Sequence, residues 1–283
     1  MSSAQHTSRG YELGTQGAHN ISKGGKHPHS LPIINDPHEK RKWILEHMAG
    51  VLRVFGRQGF SEGEAGHVSV RDCIDENTFW MNPLGVHFSM VCAADLVHVD
   101  LNGNILPDGN QVPINAAGFA IHSSLLKARP DINAACHNHA IHAKAYSAFG
   151  RPLDMINQDA CMFYNNHAVY DDFGGVALED DEGKAIAKAS GTSRVVIMQN
   201  HGLLTMGSTV DEAAYFFMAF ENCCKVQLMV DAAEAGGKKK VIIGDEEARY
   251  TAFMTQDPET IYTSFQPDYN LELKLNNDFL FKS

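Results

Sequence analysis

Short runs patterned for β-strands alternate with longer runs patterned for helices between residues 36 and 235, which limits the chain to a mixed α/β architecture. "DPHEKRKWILEHMAGVLRVFGRQG" opens with Asp36 as a cap, Pro37 at the first helical position and Glu39 at capping-box spacing. Trp43, Ile44, Met48, Val51, Leu52 and Phe55 then recur at helical period, and Gly56 or Gly59 stops the run. In "FSEGEAGHVSVRD" a glycine-punctuated loop feeds a strand in which Val68 and Val70 alternate with polar residues. "TFWMN" and "LVHVDLNGNIL" continue the strands, the second turning at Asn102-Gly103. "INAAGFAIHSSLLKARPD" is a helix ended by Pro130, and "DINAAC" (131–136) and "RVVIMQ" (194–199) are short buried strands. Residues 210–233 form a long amphipathic helix. No internal repeat appears, so one mixed α/β domain with antiparallel hairpins is expected over 36–235.

The flanks differ in character. Residues 1–35 are rich in Ser, Gly and His without an apolar period and are expected to form a disordered arm, its histidines solvated. Residues 236–283 are expected to be a polar, irregular C-terminal extension, beginning with the lysine run 238–240. A formal charge of -11 argues against nucleic acid or an anionic membrane as partner. No apolar run has spanning length, and the N-terminus lacks a secretory pattern. The six cysteines contain no C-x-x-C and sit in apolar or helical segments, which suits reduced thiols in a cytosolic protein.

The chemistry concentrates in "HNHAIH", residues 137–142. Alternate residues of a strand share a face, so His137 and His139 emerge side by side, whereas Cys136 faces the opposite way into the core. Two imidazoles can share a metal but need a third ligand from elsewhere. A chain with 15 histidines also produces such a pair by chance, and the motif alone leaves both readings open. His142 falls on a helix starting at the site, as an outer partner or plain helix surface. His201, in "NHGLLTMG" directly after the strand 194–199, is well placed to be the third ligand.

Three stretches together, "INAAGFAIHSSLLKARPDINAACHNHA", "QNHGLLTMGSTVDEAAYFFMAFENCCKVQL" and "GFSEGEAGHVSVRD", resemble the class II aldolase/adducin family over roughly residues 40–235. The resemblance implies an α/β/α sandwich around a central, mainly antiparallel sheet, and a homotetramer with active sites at subunit interfaces. It implies metal ligation by His137, His139 and His201, the positions where the family's sugar-phosphate aldolases bind zinc. The chain also departs from those aldolases. The glutamate that abstracts a proton there is Gly118 here, and two phosphate-binding serines are Ala116 and Ala117. An asparagine of the phosphate loop is His67, and a Thr-Gly turn that touches phosphate is Leu84-Gly85. Anion binding needs convergent donors, so a phosphosugar aldolase or epimerase is disfavoured. His67, Gly85 and Gly118 are instead expected to shape the pocket of another small molecule.

Three imidazoles leave open positions on a metal, and they suit zinc or iron(II) equally. Deprotonation needs a base, whereas loss of carbon dioxide does not. Some family members from secondary metabolism are decarboxylases and others use iron and oxygen to cleave keto acids. The expected function is therefore a metal-dependent lyase, a decarboxylase or non-phosphate aldolase acting on a 2-oxo or hydroxyaryl acid. An iron-dependent oxygenase performing oxidative decarboxylation is the alternative enzyme, and an adducin-like interaction domain the non-enzyme. The segment "DMINQDACMFYNNHAVYDDFGG" (154–175) falls where the resemblance implies that residues are supplied across the subunit interface, with Tyr164, His167 and Tyr170 as candidate proton donors and Asp159 as a candidate base or orienter.

Overall fold

The computed structural model describes residues 14–175 and 180–282. Helix α1 (Pro37–Arg57) starts where Asp36 Oδ1 accepts the backbone N–H groups of His38 and Glu39, both at 2.9 Å. It stops at Gly59 rather than Gly56. Gly59 takes φ +80°, and the Phe60 N–H donates back to Phe55 O at 2.9 Å, the closure a left-handed glycine permits. Strands β1 (His67–Arg71), β2 (Thr78–Met81) and β3 (Val97–Asp100) follow, then α2 (Ala116–Ala128) capped by Asn115. Strand β4 (Ala134–Asn138) leads into α3 (Ile141–Ser147), with α4 (Gln158–Cys161), β5 (His167–Tyr170) and α5 (Asp180–Ser190) beyond it. The hairpin β6 (Val195–Met198) and β7 (Gly202–Gly207) then feeds α6 (Val210–Ala235).

Among the described residues the strands form one seven-stranded sheet in the order β3-β2-β1-β4-β7-β6-β5, antiparallel except where β5 runs parallel to β6. Alternation along the strands divides the core. Val68, Val70 and Cys136 pack with Met48, Phe55 and Phe217 on the α1/α6 face. Phe79, Val97, Ala135 and Leu204 pack with Ile121, Leu125 and Ile186 on the α2/α5 face. This is the α/β/α sandwich the motifs implied, and Cys136 lies fully buried on the face opposite His137. All six cysteines are free. Among the described residues no helix is long and apolar enough to cross a membrane.

The reading of residues after Gly236 as irregular is wrong. They form α7 (Asp245–Thr255) and α8 (Pro258–Leu275). Asp257 caps α8 by accepting the Thr260 N–H at 3.0 Å, with Pro258 at the first helical position. Ile261, Phe265 and Tyr269, at helical spacing, then bury against the core, as does Phe279. Each fully buried phenylalanine contributes about 1.5–3 kcal/mol, so this segment is part of the folded unit rather than an appendage.

The arm is also more engaged than expected. Residues 1–13 lie outside the described residues, and 14–35 are mostly irregular. Yet Gln16 donates to Phe253 O at 2.7 Å, Ala18 N–H donates to Glu259 at 3.3 Å, and Ala18 is 1% exposed. Leu31 to Ile34 line a groove beside Trp43 and Ile44. Removing residues 1–35 should cost about 2 kcal/mol from these lost bonds and apolar cover, and lower Tm by roughly 4–8 °C. Calorimetry finding an unchanged Tm would make the docking energetically idle.

Candidate metal centre

Register builds the centre. The antiparallel pairing of β1 with β4 sets His67 opposite His137, and their rings stack at 4.7 Å with an interplanar angle of 29°. On the other side β4 pairs with β7, whose hairpin closes with Met198 opposite Gly202. Gln199, Asn200 and His201 make the turn, with Asn200 in the left-handed region at φ +59° and the His201 N–H donating to Met198 O at 3.0 Å. His201 thus leaves the sheet at the same end as His137. His139 follows β4, where Asn138 Oδ1 accepts the Ala140 N–H at 2.8 Å and turns the chain into α3. The start of α3 has a cap from another helix. Glu221 of α6 accepts the backbone N–H groups of His142 and Ala143 at 2.9 and 2.6 Å. The His142 ring also meets Glu221 at 2.7 Å, so His142 belongs to the helix start and not to the ligand set.

One ring nitrogen each of His137, His139 and His201 lies within 4.8 Å of the others. The rings stand nearly perpendicular to one another, with centroids 4.9–5.2 Å apart. Gly202 allows this crowding, because a Cβ there would meet Asn138 O at 3.0 Å and the rings of His139 and His137 just beyond. Burial, reinforced by the neighbouring imidazoles, holds His137 well below the usual histidine range, and burial beside His139 pushes His201 down to about 4. His139 is lowered too, chiefly by burial. All three are therefore neutral at neutral pH, the protonation state a metal requires. Nδ1 of His137 lies 2.9 Å from Leu203 O and donates to it, which turns the lone pair of Nε2 toward the other two rings. This donor set fits a divalent zinc- or iron-type ion.

The place of the missing glutamate beside the triad, at Gly118, is taken by a neighbouring side chain. A Cβ at Gly118 would lie 2.6 Å from Cδ2 and 2.7 Å from Cγ of His67. The His67 imidazole, 4% exposed, fills the volume that the missing side chain leaves. Its Nδ1 is 2.7 Å from Nε2 of His122, whose Nδ1 in turn contacts Ser69 Oγ. Burial alone pushes His122 down to about 3. Sequence reasoning missed His122 and Ser69. The signal was available in Ser69 sharing a strand face with His67 two residues away.

The other candidates lie apart from this cluster. His167 donates Nδ1–H to Phe163 O at 2.7 Å and accepts the Leu153 N–H at Nε2 at 3.1 Å, so backbone groups occupy both its nitrogens. The Tyr170 hydroxyl donates to Glu182 at 2.9 Å, and burial together with that carboxylate pushes its pKa up to about 12. Asp159 is an exposed residue in the first turn of α4. Among the described residues none of the three has a hydrogen bond or ring contact to the triad of its own chain. Gly85 lies at φ +74° on a recess shared with Gly66, Asn82, Leu84 and Asn115, of only about 10 Å³, room for a single water. Phe173, 52% exposed and with its ring 6.4 Å from that of His201, is a neighbour of the centre that no sequence pattern marked.

The described residues thus form a seven-stranded sandwich with three imidazoles converging at its strand ends. Residues 46–228 match the family model described as Class II Aldolase and Adducin N-terminal domain, and the chain belongs to that family. It is 46% identical to the meiotically up-regulated gene 14 protein of Schizosaccharomyces pombe, over 87% of this chain and 95% of that protein. It is 39% identical to a 4-hydroxy-3-prenylphenylpyruvate oxygenase/4-hydroxy-3-prenylbenzoate synthase of Streptomyces roseochromogenus subsp. oscitans, over 89% of each. Decarboxylase NovR of Streptomyces niveus is 38% identical over 87% of this chain and 90% of that protein. Among solved structures, an L-fuculose 1-phosphate aldolase from Glaciozyma antarctica PI12 superposes with a TM-score of 0.81 at 33% identity, covering 89% of this chain and 97% of that one.

Proposed function

We propose that the chain is a metal-dependent carbon–carbon lyase that removes a carboxyl group from, or cleaves, a small oxygenated carboxylic acid. His137, His139 and His201 would hold zinc or iron(II), which supplies a Lewis acid for the oxygens of the substrate. The observation that carries the reading is the imidazole of His67 in the space beside the triad where a proton-abstracting carboxylate would otherwise stand. A site without that base favours loss of carbon dioxide, a cleavage that needs no proton abstracted from carbon. In a hydroxyaryl acid a solvent proton adds to the carboxyl-bearing carbon while the aryl oxygen gives up its own proton and pushes an electron pair into the ring, and the carbon–carboxyl bond then breaks with its pair restoring aromaticity. A 2-oxo acid losing its carboxyl from the carbonyl carbon has no such place for the pair, so molecular oxygen must accept the electrons. The relative named a phenylpyruvate oxygenase favours that second, oxidative reading, and the relative named a decarboxylase favours the first. Exposed Phe173 beside His201 offers an aromatic substrate an edge to pack on. The chain would work as a homotetramer, for which exposed Ile141 and Phe149 around α3 and Met229 on α6 supply apolar surface.

The test uses untagged protein loaded with zinc or iron(II) and assayed for carbon dioxide from 2,4-dihydroxybenzoate and 4-hydroxyphenylpyruvate, under air and under argon. Metal-dependent release is expected. Release that persists under argon assigns the lyase, and release that needs air assigns the oxygenase. Dihydroxyacetone phosphate should show no binding by calorimetry, because apolar Ala116, Ala117 and Leu84 stand where anion donors would be needed. Micromolar affinity for it would overturn the substrate class, and no turnover with either metal would favour an interaction domain.

A further inference from the structure

The partners of His67 define a direction. Its ring lies flat against His137, with Nδ1 2.7 Å from Nε2 of His122. The remaining nitrogen of His122 contacts Ser69 Oγ. Ser69 and His122 are 0% exposed and His67 is 4% exposed, so water does not complete the hydrogen bonds within the chain. With both rings neutral, only two proton arrangements satisfy this series. Either every group donates toward the histidine centre, or every group donates away from it.

Ser69 decides between them. Among the described residues its hydroxyl has no partner other than His122. If the chain ran away from the centre, Ser69 would accept from His122 and its own O–H proton would be buried without an acceptor. A buried unsatisfied donor is expensive and Ser69, fully enclosed, has no outlet for one, whereas the free Nε2 edge of His67 is not fully buried and opens on the triad, where a water or substrate oxygen can accept its proton. Ser69 therefore donates to Nδ1 of His122, and Nε2–H of His122 donates to Nδ1 of His67. The proton of His67 is left on Nε2. That atom has no hydrogen-bond partner among the described residues and lies 3.1 Å from where a side chain at position 118 would begin.

We propose that Ser69 and His122 fix His67 as a neutral hydrogen-bond donor, its Nε2–H presented to the oxygens of an acid substrate at the triad. This rests on the reading of His137, His139 and His201 as the substrate centre. A donor fixed before the substrate arrives stabilises negative charge on oxygen without reorganising, and removing one such donor typically costs about 10²–10³-fold in rate. Gly118 is part of the device, because any Cβ there would push the ring off its line. His67 is the group that touches substrate, and Ser69 and His122 position it.

Two measurements test this. The first is the tautomer of each ring in metal-free protein carrying ¹⁵N-labelled histidine, read from two-bond ¹H–¹⁵N correlations at neutral pH. His67 and His122 should both be protonated on Nε2, and Ser69→Ala should give a mixture, which a packing role alone would not produce. An Nδ1-protonated His67 in the wild type overturns the proposal. The second is calorimetry of the zinc-loaded protein with oxalate, whose adjacent oxygens imitate the carboxylate and oxo group of a 2-oxo acid. His67→Ala should keep its zinc and bind oxalate about 10- to 100-fold more weakly, the range for a hydrogen bond to a charged group, and His67→Gln should recover part of the loss. Unchanged oxalate affinity in His67→Ala, or loss of its zinc, overturns the donor role. Zinc failing to bind the wild type would count against the metal reading alone, while the tautomer spectrum would still decide the direction of the chain.

Discussion

Alanine in place of His201 is expected to strip the protein of its metal. Among the described residues three ring nitrogens converge at the centre, and two imidazoles cannot complete a tetrahedral or facial set. The fall in affinity should exceed the roughly 10–100-fold that follows loss of an outer hydrogen-bond partner of a ligand. Turnover should fall to background with it. The fold should survive, because His201 sits in a turn between β6 and β7 rather than in either core cluster. Metal content by plasma emission, with the circular dichroism spectrum as control, is the measurement. A His201→Ala protein that keeps stoichiometric metal would remove this residue from the ligand set.

Gly118→Glu should be at least as damaging, for a reason that only the packing reveals. Position 118 looks like vacant space on a helix beside a metal site. In the folded protein that space belongs to the His67 ring, which would lie 2.6 Å from the new Cβ. His67 cannot give way cheaply, since His137 stacks on one face and His122 holds its Nδ1. Forcing a side chain into a filled core site typically costs about 1–3 kcal/mol, so Tm should fall and turnover should drop by about 100-fold or more through loss of the His67 donor. The double variant Gly118→Glu, His67→Asn removes the clash and should melt closer to the wild type than Gly118→Glu does. If the two variants melt together, His67 does not fill the site in the way described. If Gly118→Glu is faster on the native substrate, a base is limiting and cleavage without deprotonation is wrong.

Much of the architecture was legible because its signals are local. Asp36-Pro37, the apolar period after it and Gly59 mark the start, body and end of a helix in one continuous stretch. The same signature recurs at Asp257-Pro258, and the helix it opens was overlooked only because the surrounding composition is polar. The alternation of a strand sufficed to put His137 and His139 together and to turn Cys136 into the core. His167 and Tyr170 carry chemistry competent for proton transfer. Whether a backbone carbonyl or a glutamate has already taken their hydrogens depends on where Phe163, Leu153 and Glu182 come to rest.

By itself the sequence determined which groups are available, an imidazole triad with no acid at position 118, because residue identity and short-range period require no knowledge of neighbours. The tertiary structure alone decided what stands in place of that acid. His67 and its partner His122 are 55 residues apart, and they meet because β1 pairs with β4 in one register while α2 packs across the same face. A shift of one residue in that pairing would turn His67 and Ser69 to the opposite face of the sheet. The direction of hydrogen bonding at the site is thus a property of strand register and burial, which arise from contacts across the whole sheet and leave no mark in any one stretch of the chain.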